Sequence, residues 1–215
     1  MIIGIAGNKG SGKDTAGNFI RDHFLWSHSK KFQIKKYAGF LKQIVSGLLG
    51  CSLQDLEDRE FKEKELGEEW WYVNTSEGKV PYKSLQNFSD NYEVVKMTPR
   101  KLLQQLGTEG GRESVHPNIW INALWANYKP SDNWVVTDVR FPNEVEAIKK
   151  RGGYIIVLDR PSEEDLDTHS SENSLKNYSF EGYDNHANII NSGTLEDFYL
   201  ELDLVLTGWG FDTWG

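Results

Sequence analysis

Near the start of the chain, the run Gly7-Asn8-Lys9-Gly10-Ser11-Gly12-Lys13-Asp14-Thr15 has the residue types and spacing of a loop that cradles phosphates. Glycines let the backbone curl until its N–H groups point inward at phosphate oxygens. A helix N-terminus behind the loop adds partial positive charge, and Lys13 neutralises the β and γ phosphates of a nucleoside triphosphate. Gly7, Gly10, Ser11 and Gly12 form the cradle, and Gly10 and Gly12 are the positions where a side chain is expected to disturb it most. The residue after Lys13, usually a Ser or Thr that ligates magnesium, is Asp14, with Thr15 one place later. Asp14 is expected to hold magnesium directly or through water. Thr15 is expected either to bond a phosphate oxygen or to take over the metal. The plainer alternative, a glycine-rich turn with a surface lysine, is outweighed by the agreement of motif and context.

A second acidic residue, Asp138, ends the apolar run Trp134 to Thr137. A carboxylate there emerges at the carboxyl end of a sheet, where α/β folds place ligands, and it can bind a magnesium-bound water or orient an acceptor phosphate. An Asp at a strand end is also common without any function. Arg140 and Arg160 follow two such strands, and Arg100 and Arg112 lie nearer the middle of the chain. Guanidinium forks stabilise the charge that gathers on a phosphoryl group in flight, although each arginine alone is more often a solvated surface residue. An acidic loop from Asp159 to Glu172, containing His169, reads as a lid. His169 is more simply a hydrogen-bonded loop residue than a base, because an ionised acceptor phosphate needs none. The five histidines are scattered without metal-ligand spacing.

The elements that position these groups alternate. Ile2 to Ala6 reads as a strand, and the following helix recurs on one face at Ala16, Phe19, Ile20 and Phe24. Phe32 to Tyr37 reads as a second strand and Phe40 to Leu49 as a helix. Asp55 to Glu69 is charged and reads as helical. Trp70 to Leu85 surrounds Ser76-Glu77-Gly78-Lys79, a hairpin turn. Thr98-Pro99 opens a helix carrying Leu102, Leu103 and Leu106, and Pro117 opens another carrying Ile121, Leu124, Trp125 and Tyr128. Trp134 to Val139 is a buried strand, Pro142 starts a helix, and Tyr154 to Leu158 and His186 to Ile190 are further strands. Thr194 with Asp197 forms a capping box before a last helix. This order predicts a three-layer α/β/α fold with a mostly parallel sheet. The 215 residues suit a single domain, with a small arm or lid inserted at about 52–96.

Composition limits the partners. With 24 basic and 32 acidic residues, the net charge of -8 gives no general attraction to a polyanion, so stable nucleic-acid binding is not expected. Cys51 is the only cysteine, which suits a reducing cytoplasm, and no window approaches a membrane span. Eight Trp, nine Tyr and ten Phe are many for this length, and some are expected to line a pocket or a homodimer contact.

Taken together, Gly7 to Thr15 with its Gly-Lys-Asp-Thr ending, Tyr37 to Lys42, Leu106 to Glu109 with Arg112 and Trp120, Thr137 to Glu144, Arg160-Pro161, His169 with Ser171-Glu172, and Ile190 to Leu195 resemble the phage deoxynucleoside monophosphate kinases, a branch of the P-loop nucleoside monophosphate kinases. The resemblance spans most of the chain and is weakest at 52–96, where base choice is expected to lie. It implies that Lys42, Arg100, Arg112, Arg140 and Glu144 serve the acceptor nucleotide, with Trp120 stacking on the base or packing in the core. It implies Arg160 for the transferring phosphates and Asn191, Gly193 and Thr194 for ATP. The expected activity is magnesium-dependent transfer from ATP to a deoxynucleoside 5′-monophosphate, with Lys13, Asp138, Arg140 and Arg160 catalytic and Asp14, Thr15 and Asp138 around the metal. Two alternatives stay open: the same fold acting on another small acceptor or on hydroxymethylated bases in DNA, and a regulator that binds nucleotide without transfer.

Overall fold

The computed structural model describes residues 1–84, 93–161, 175 and 178–211. In chain order the elements are β1 (Ile2–Gly7), α1 (Lys13–His28), β2 (Gln33–Lys35), α2 (Gly39–Leu49), α3 (Arg59–Glu63), β3 (Tyr72–Thr75), β4 (Gly78–Pro81) and β5 (Val94–Val95). They continue with α4 (Pro99–Gln105), a π-helical segment (Leu106–Val115), α5 (Ile119–Trp125), β6 (Trp134–Val139), α6 (Pro142–Lys149), β7 (Tyr154–Asp159), β8 (His186–Ile190) and α7 (Leu195–Gly208). The chain forms two compact units, Met1–Tyr37 with Ile121–Gly215, and Ala38–Trp120.

The first unit is built on a five-stranded sheet in the order β2-β6-β1-β7-β8, with every pairing parallel. Side chains alternate across a strand, so β1 sends Ile2 and Ala6 to one face and Ile3 and Ile5 to the other. The first face packs with Leu124 and Trp125 of α5 and Val145 and Ile148 of α6. The second packs with Ala16, Ile20 and Phe24 of α1 and Phe198, Leu202 and Leu206 of α7. Helices on both faces of a parallel sheet give the three-layer α/β/α arrangement the sequence predicts. The sheet also fixes where a ligand must go, because the strand order reverses beside β1 and the loops after β1, β2, β6 and β7 leave from one edge.

In the second unit β3, β4 and β5 form an antiparallel sheet in the order β4-β3-β5, with the predicted turn between Thr75 and Gly78. Thr98 caps α4 as read, accepting from the Lys101 N–H ahead of Pro99. The helical axis then continues through Gly107 and Gly111 in wide π turns to Val115, which the glycines concealed in the sequence. Both glycines are buried under neighbours. A Cβ on Gly107 would stand 2.8 Å from Leu41, and one on Gly111 would stand 2.8 Å from the Trp120 ring.

The long helix read from Asp55 to Glu69 is instead the short α3 and a 3-10 turn at Glu68–Trp70. Local side-chain bonds outcompete helix there: the Ser52 N–H donates to Asp55 at 2.8 Å, Asp55 N–H returns to the Ser52 hydroxyl at 3.1 Å, and Asp58 caps α3 at Phe61. The helix read from Pro117 starts two residues later, and Tyr128 lies beyond its end. The loop segment from 162 onward that reads as a lid, with His169, Ser171 and Glu172, lies outside the described residues.

One buried group gives the fold a pH dependence. His23 of α1 is 9% exposed, its Nε2 has no hydrogen-bond partner, and its Nδ1 lies 3.8 Å from Asp203 of α7. Burial lowers its pKa, which Asp203 partly opposes and His28 reinforces. The unfolded chain therefore binds the proton more readily, so this residue's contribution is fully present above the ordinary histidine value and is lost as pH falls below it. The melting temperature of the wild type is expected to drop between pH 7.5 and 5.5 by more than that of His23→Phe. Identical drops in calorimetry would show that His23 does not carry the effect.

Candidate active site

β1 is a run of apolar residues buried from Ile2 to Ala6, and it delivers the chain at the half-buried Gly7 to the ligand edge of the sheet. The loop then turns through Gly7, Gly10 and Gly12 at φ of 148°, 80° and 98°, values that L side chains resist. α1 starts at Lys13 behind Gly12, an N-cap residue with no side chain of its own to cap the first N–H groups, so those donors face whatever anion the loop holds. Crowding differs from the sequence reading. An added Cβ at Gly10 meets nothing within 4 Å, whereas at Gly7 it would stand 2.4 Å from the Leu158 carbonyl oxygen and at Gly12 2.8 Å from Asn191. The tight positions are thus Gly7 and Gly12 rather than Gly10 and Gly12. Ser11 is 1% exposed and its hydroxyl lacks a partner, a buried polar atom in the wall of the loop.

Lys13 curls back over the loop and donates to the carbonyl oxygens of Gly7, at 2.7 Å, and Asn8. Its pKa is lowered to about 8, first by burial and then by the nearby Arg140 cation, against the pull of Asp14 and Asp138. The electrostatics therefore bring together four of the residues picked from the sequence: Lys13, Asp14, Asp138 and Arg140. Close packing supports this. Gly17 of α1 is so near β6 that a Cβ would stand 2.3 Å from Thr137, and that approach lets the Thr137 hydroxyl donate to Asp14 Oδ1 at 3.2 Å.

Two residues missed in the sequence complete the group. Lys36, immediately after β2, places its Nζ 3.0 Å from Asp14 Oδ1. The next residue, Tyr37, donates its backbone N–H to Asp138 Oδ1 at 2.7 Å and its buried hydroxyl to the Glu144 carbonyl at 3.1 Å. A signal was available, because β2 ends at the same edge of the sheet as β1 and β6, and any cation just past its end is a candidate on the rule used for Asp138.

Other expected site residues fall differently. Glu144 is 1% exposed, and its Oε2 accepts from the N–H groups of Arg140, at 2.8 Å, and Phe141, at 3.1 Å. It sits at the third position of α6, caps the helix, and shapes the loop that carries Arg140. Trp120 is 5% exposed, donates its indole N–H to the Gly107 carbonyl at 2.7 Å and packs with Leu41, Val45 and Leu56, so it is a core residue of the second unit rather than an open stacking surface. Within that unit Lys42 pairs with Glu57 at 2.6 Å, Arg100 pairs with Glu63, and Arg112 lies on the π-helical segment. Arg160 is exposed just beyond β7. Asn191 braces the phosphate loop, its side-chain amide donating to the Ser11 carbonyl at 3.0 Å. Thr194 caps α7 through Asp197, and a Cβ on Gly193 would stand 2.7 Å from that carboxylate.

A cluster of carboxylates and hydroxyls suits a hard cation that takes few protein ligands and completes its shell with water and phosphate. Asp14, Asp138 and Thr15 have that chemistry. Among the described residues no group of three or more His, Cys, Asp or Glu is close enough to hold a metal by itself. The donor set thus fits magnesium held jointly with a triphosphate and does not fit an all-protein cage. No helix among the described residues is long and apolar enough to cross a membrane.

The chain is similar to known proteins. Residues 54–202 match the family model described as deoxynucleotide monophosphate kinase. A protein of Acanthamoeba polyphaga mimivirus, provisionally named for the same activity, is 30% identical over 94% of this chain and 94% of its own. The deoxynucleoside-5′-monophosphate kinase of Escherichia phage T5 is 28% identical over 70% of this chain and 72% of its own, and the deoxynucleotide monophosphate kinase of Enterobacteria phage T4 is 24% identical over 94% and 96%.

Proposed function

The chain belongs to the deoxynucleotide monophosphate kinase family, and from that premise we propose that its phosphate loop serves transfer of the γ-phosphoryl group of ATP to a free deoxynucleoside 5′-monophosphate, giving the diphosphate. The observation that carries this reading is the gathering at the ligand edge of one parallel sheet of Asp14, next to Lys13 and bonded by Thr137 of β6, and Asp138, bonded by Tyr37 just past β2. An oxygen of the acceptor phosphate forms the new bond to the γ phosphorus, and the bond to the bridging oxygen of ADP breaks with its electron pair. The attacking oxygen is already ionised, so no residue has to remove a proton. Catalysis then rests on positioning and on charge. The loop N–H groups and Lys13 hold the β and γ phosphates, and Arg140 and Arg160 stabilise the equatorial oxygens. Magnesium would supply further neutralisation of the triphosphate's charge, and Asp14, Asp138 and Thr15 are the residues that would hold it. Lys42, Arg100 and Arg112 serve the acceptor nucleotide, as the resemblance implies.

The acceptor is small rather than polymeric. A net charge of -8 opposes approach to DNA, and a basic track is what a polymer would require. The test offers γ-labelled ATP and magnesium to free deoxynucleoside monophosphates and, in parallel, to duplex and single-stranded DNA with natural or hydroxymethylated bases. Label is expected in deoxynucleoside diphosphates. Label in DNA without any labelled diphosphate overturns the acceptor, and ATP binding without transfer favours a regulator. The metal assignment has its own readout: Asp14→Asn and Asp138→Asn should each raise the magnesium concentration for half-maximal rate severalfold. A titration of either variant that overlays the wild type removes that residue from the metal environment.

A further inference from the structure

A phosphate loop normally carries a neutral hydroxyl directly after its lysine, whereas this chain carries the carboxylate of Asp14. A carboxylate beside a triphosphate is a repulsion that something must offset. The compensating charge comes from Lys36, whose Nζ lies 3.0 Å from Asp14 Oδ1. The Lys36 side chain is 27% exposed while that of Asp14 is 68% exposed, so the ammonium is held against the protein and the carboxylate stays open to a ligand. The Thr137 hydroxyl donates to the same Oδ1, which fixes the carboxylate from β6 as well. Lys36 is itself well anchored, because its neighbour Tyr37 is 2% exposed and tied through its N–H to Asp138 and through its hydroxyl to the Glu144 carbonyl. Consecutive residues at the end of β2 thus hold both acidic groups of the site.

We infer that Lys36 is a positioning residue of the phosphate site, pairing with Asp14 so that a carboxylate can stand where other loops carry a hydroxyl without repelling the incoming triphosphate. The inference rests on the reading of the loop as an ATP site. Lys36 acts through Asp14, and this sets it apart from a lysine that contacts phosphate on its own account.

A double-mutant cycle between Lys36 and Asp14 tests this, read as the dissociation constant of ATP by titration calorimetry with a metal chelator present, on chains whose melting temperatures confirm folding. Lys36→Met is expected to weaken ATP binding about tenfold, the scale of one partly screened charge pair. Lys36→Arg should retain most of the affinity. In an Asp14→Ser background, Lys36→Met should have less than about a twofold effect, the rest of the loss having been removed with the carboxylate. If Lys36→Met does not fold, Lys36→Gln takes its place in both backgrounds. An equal loss in the two backgrounds, or no loss in either, overturns the inference. Failure of the wild type to bind ATP would instead overturn the reading of the site, so the two failures are distinct.

Discussion

Replacing Lys13 by Ala is expected to lower kcat/KM for ATP at least about a hundredfold, the scale of removing one preorganised charge from a transferring group. The expectation follows from where the ammonium sits. It is held by the Gly7 and Asn8 carbonyls inside the loop, and burial first, then the nearby Arg140 cation, lowers its pKa to about 8. A cation in that position is destabilised until an anion arrives, so its interaction with phosphate is stronger than that of a fully solvated lysine. The same lowering gives a pH signature. Above pH of about 8 the free protein holds Lys13 increasingly neutral, and the group must take up a proton to pair with a triphosphate. Affinity for ATP should therefore fall as pH rises through that value, with proton uptake on binding, and the trend should vanish in Lys13→Ala. Steady-state kinetics with calorimetry in buffers of different ionisation enthalpy measures both. A folded Lys13→Ala chain with turnover near that of the wild type would remove the residue from the mechanism.

How far the sequence discloses such a site depends on whether the signal is local. Gly7 to Thr15, the Thr98-Pro99 start of α4, the Pro142 start of α6 and the Thr194–Asp197 box before α7 were all legible, because each is a short-range pattern with its own steric or hydrogen-bonding cause. β6 was legible as an apolar run of strand length. Glu144 is harder to read, because a residue that caps a helix and one that reaches for a substrate look alike until its partners are known, here the N–H groups of Arg140 and Phe141. Trp120 stands between base-stacking and core in the sequence for the same reason, and the burial of its indole N–H against Gly107 makes it a core residue. Periodicity in α2 placed Phe40, Leu41, Ile44, Val45 and Leu48 on a helix but could not say which of them bury. Leu41 and Val45 do, while Ile44 and Leu48 stay about half exposed. Lys36 was overlooked because its significance lies in a carboxylate 22 positions earlier, and only the pairing of β2 with β6 beside β1 brings the two together.

The steric limits of the phosphate loop lead to the largest expected effect on stability, at Gly7. Gly7 pairs in register with Leu158 of the neighbouring parallel strand β7, and its φ of 148° lies where a Cβ is strained even in open space. The space is not open: an added Cβ would stand 2.4 Å from the Leu158 carbonyl oxygen and 2.6 Å from the Ser11 hydroxyl. The first contact is with the backbone of a buried strand, which cannot step aside as a flexible side chain can. Gly7→Ala must therefore part β1 from β7 or twist the chain out of this conformation. Strain and overpacking together suggest a loss of about 3 kcal/mol, or roughly 6–12 °C in melting temperature for a chain of this size. Gly10→Ala is the internal comparison, because its φ of 80° is also strained but no atom lies within 4 Å of the new Cβ, so only the conformational cost of about 1 kcal/mol remains. Activity should follow the same order. The Gly7 carbonyl is one of the two groups that hold Lys13, and moving it displaces the ammonium from the phosphates, whereas the Gly10 change leaves that anchor in place. Calorimetric melting and ATP titration of the two variants side by side decide the matter. Equal melting temperatures for Gly7→Ala and Gly10→Ala would mean that β1 and β7 yield more easily than their parallel pairing implies.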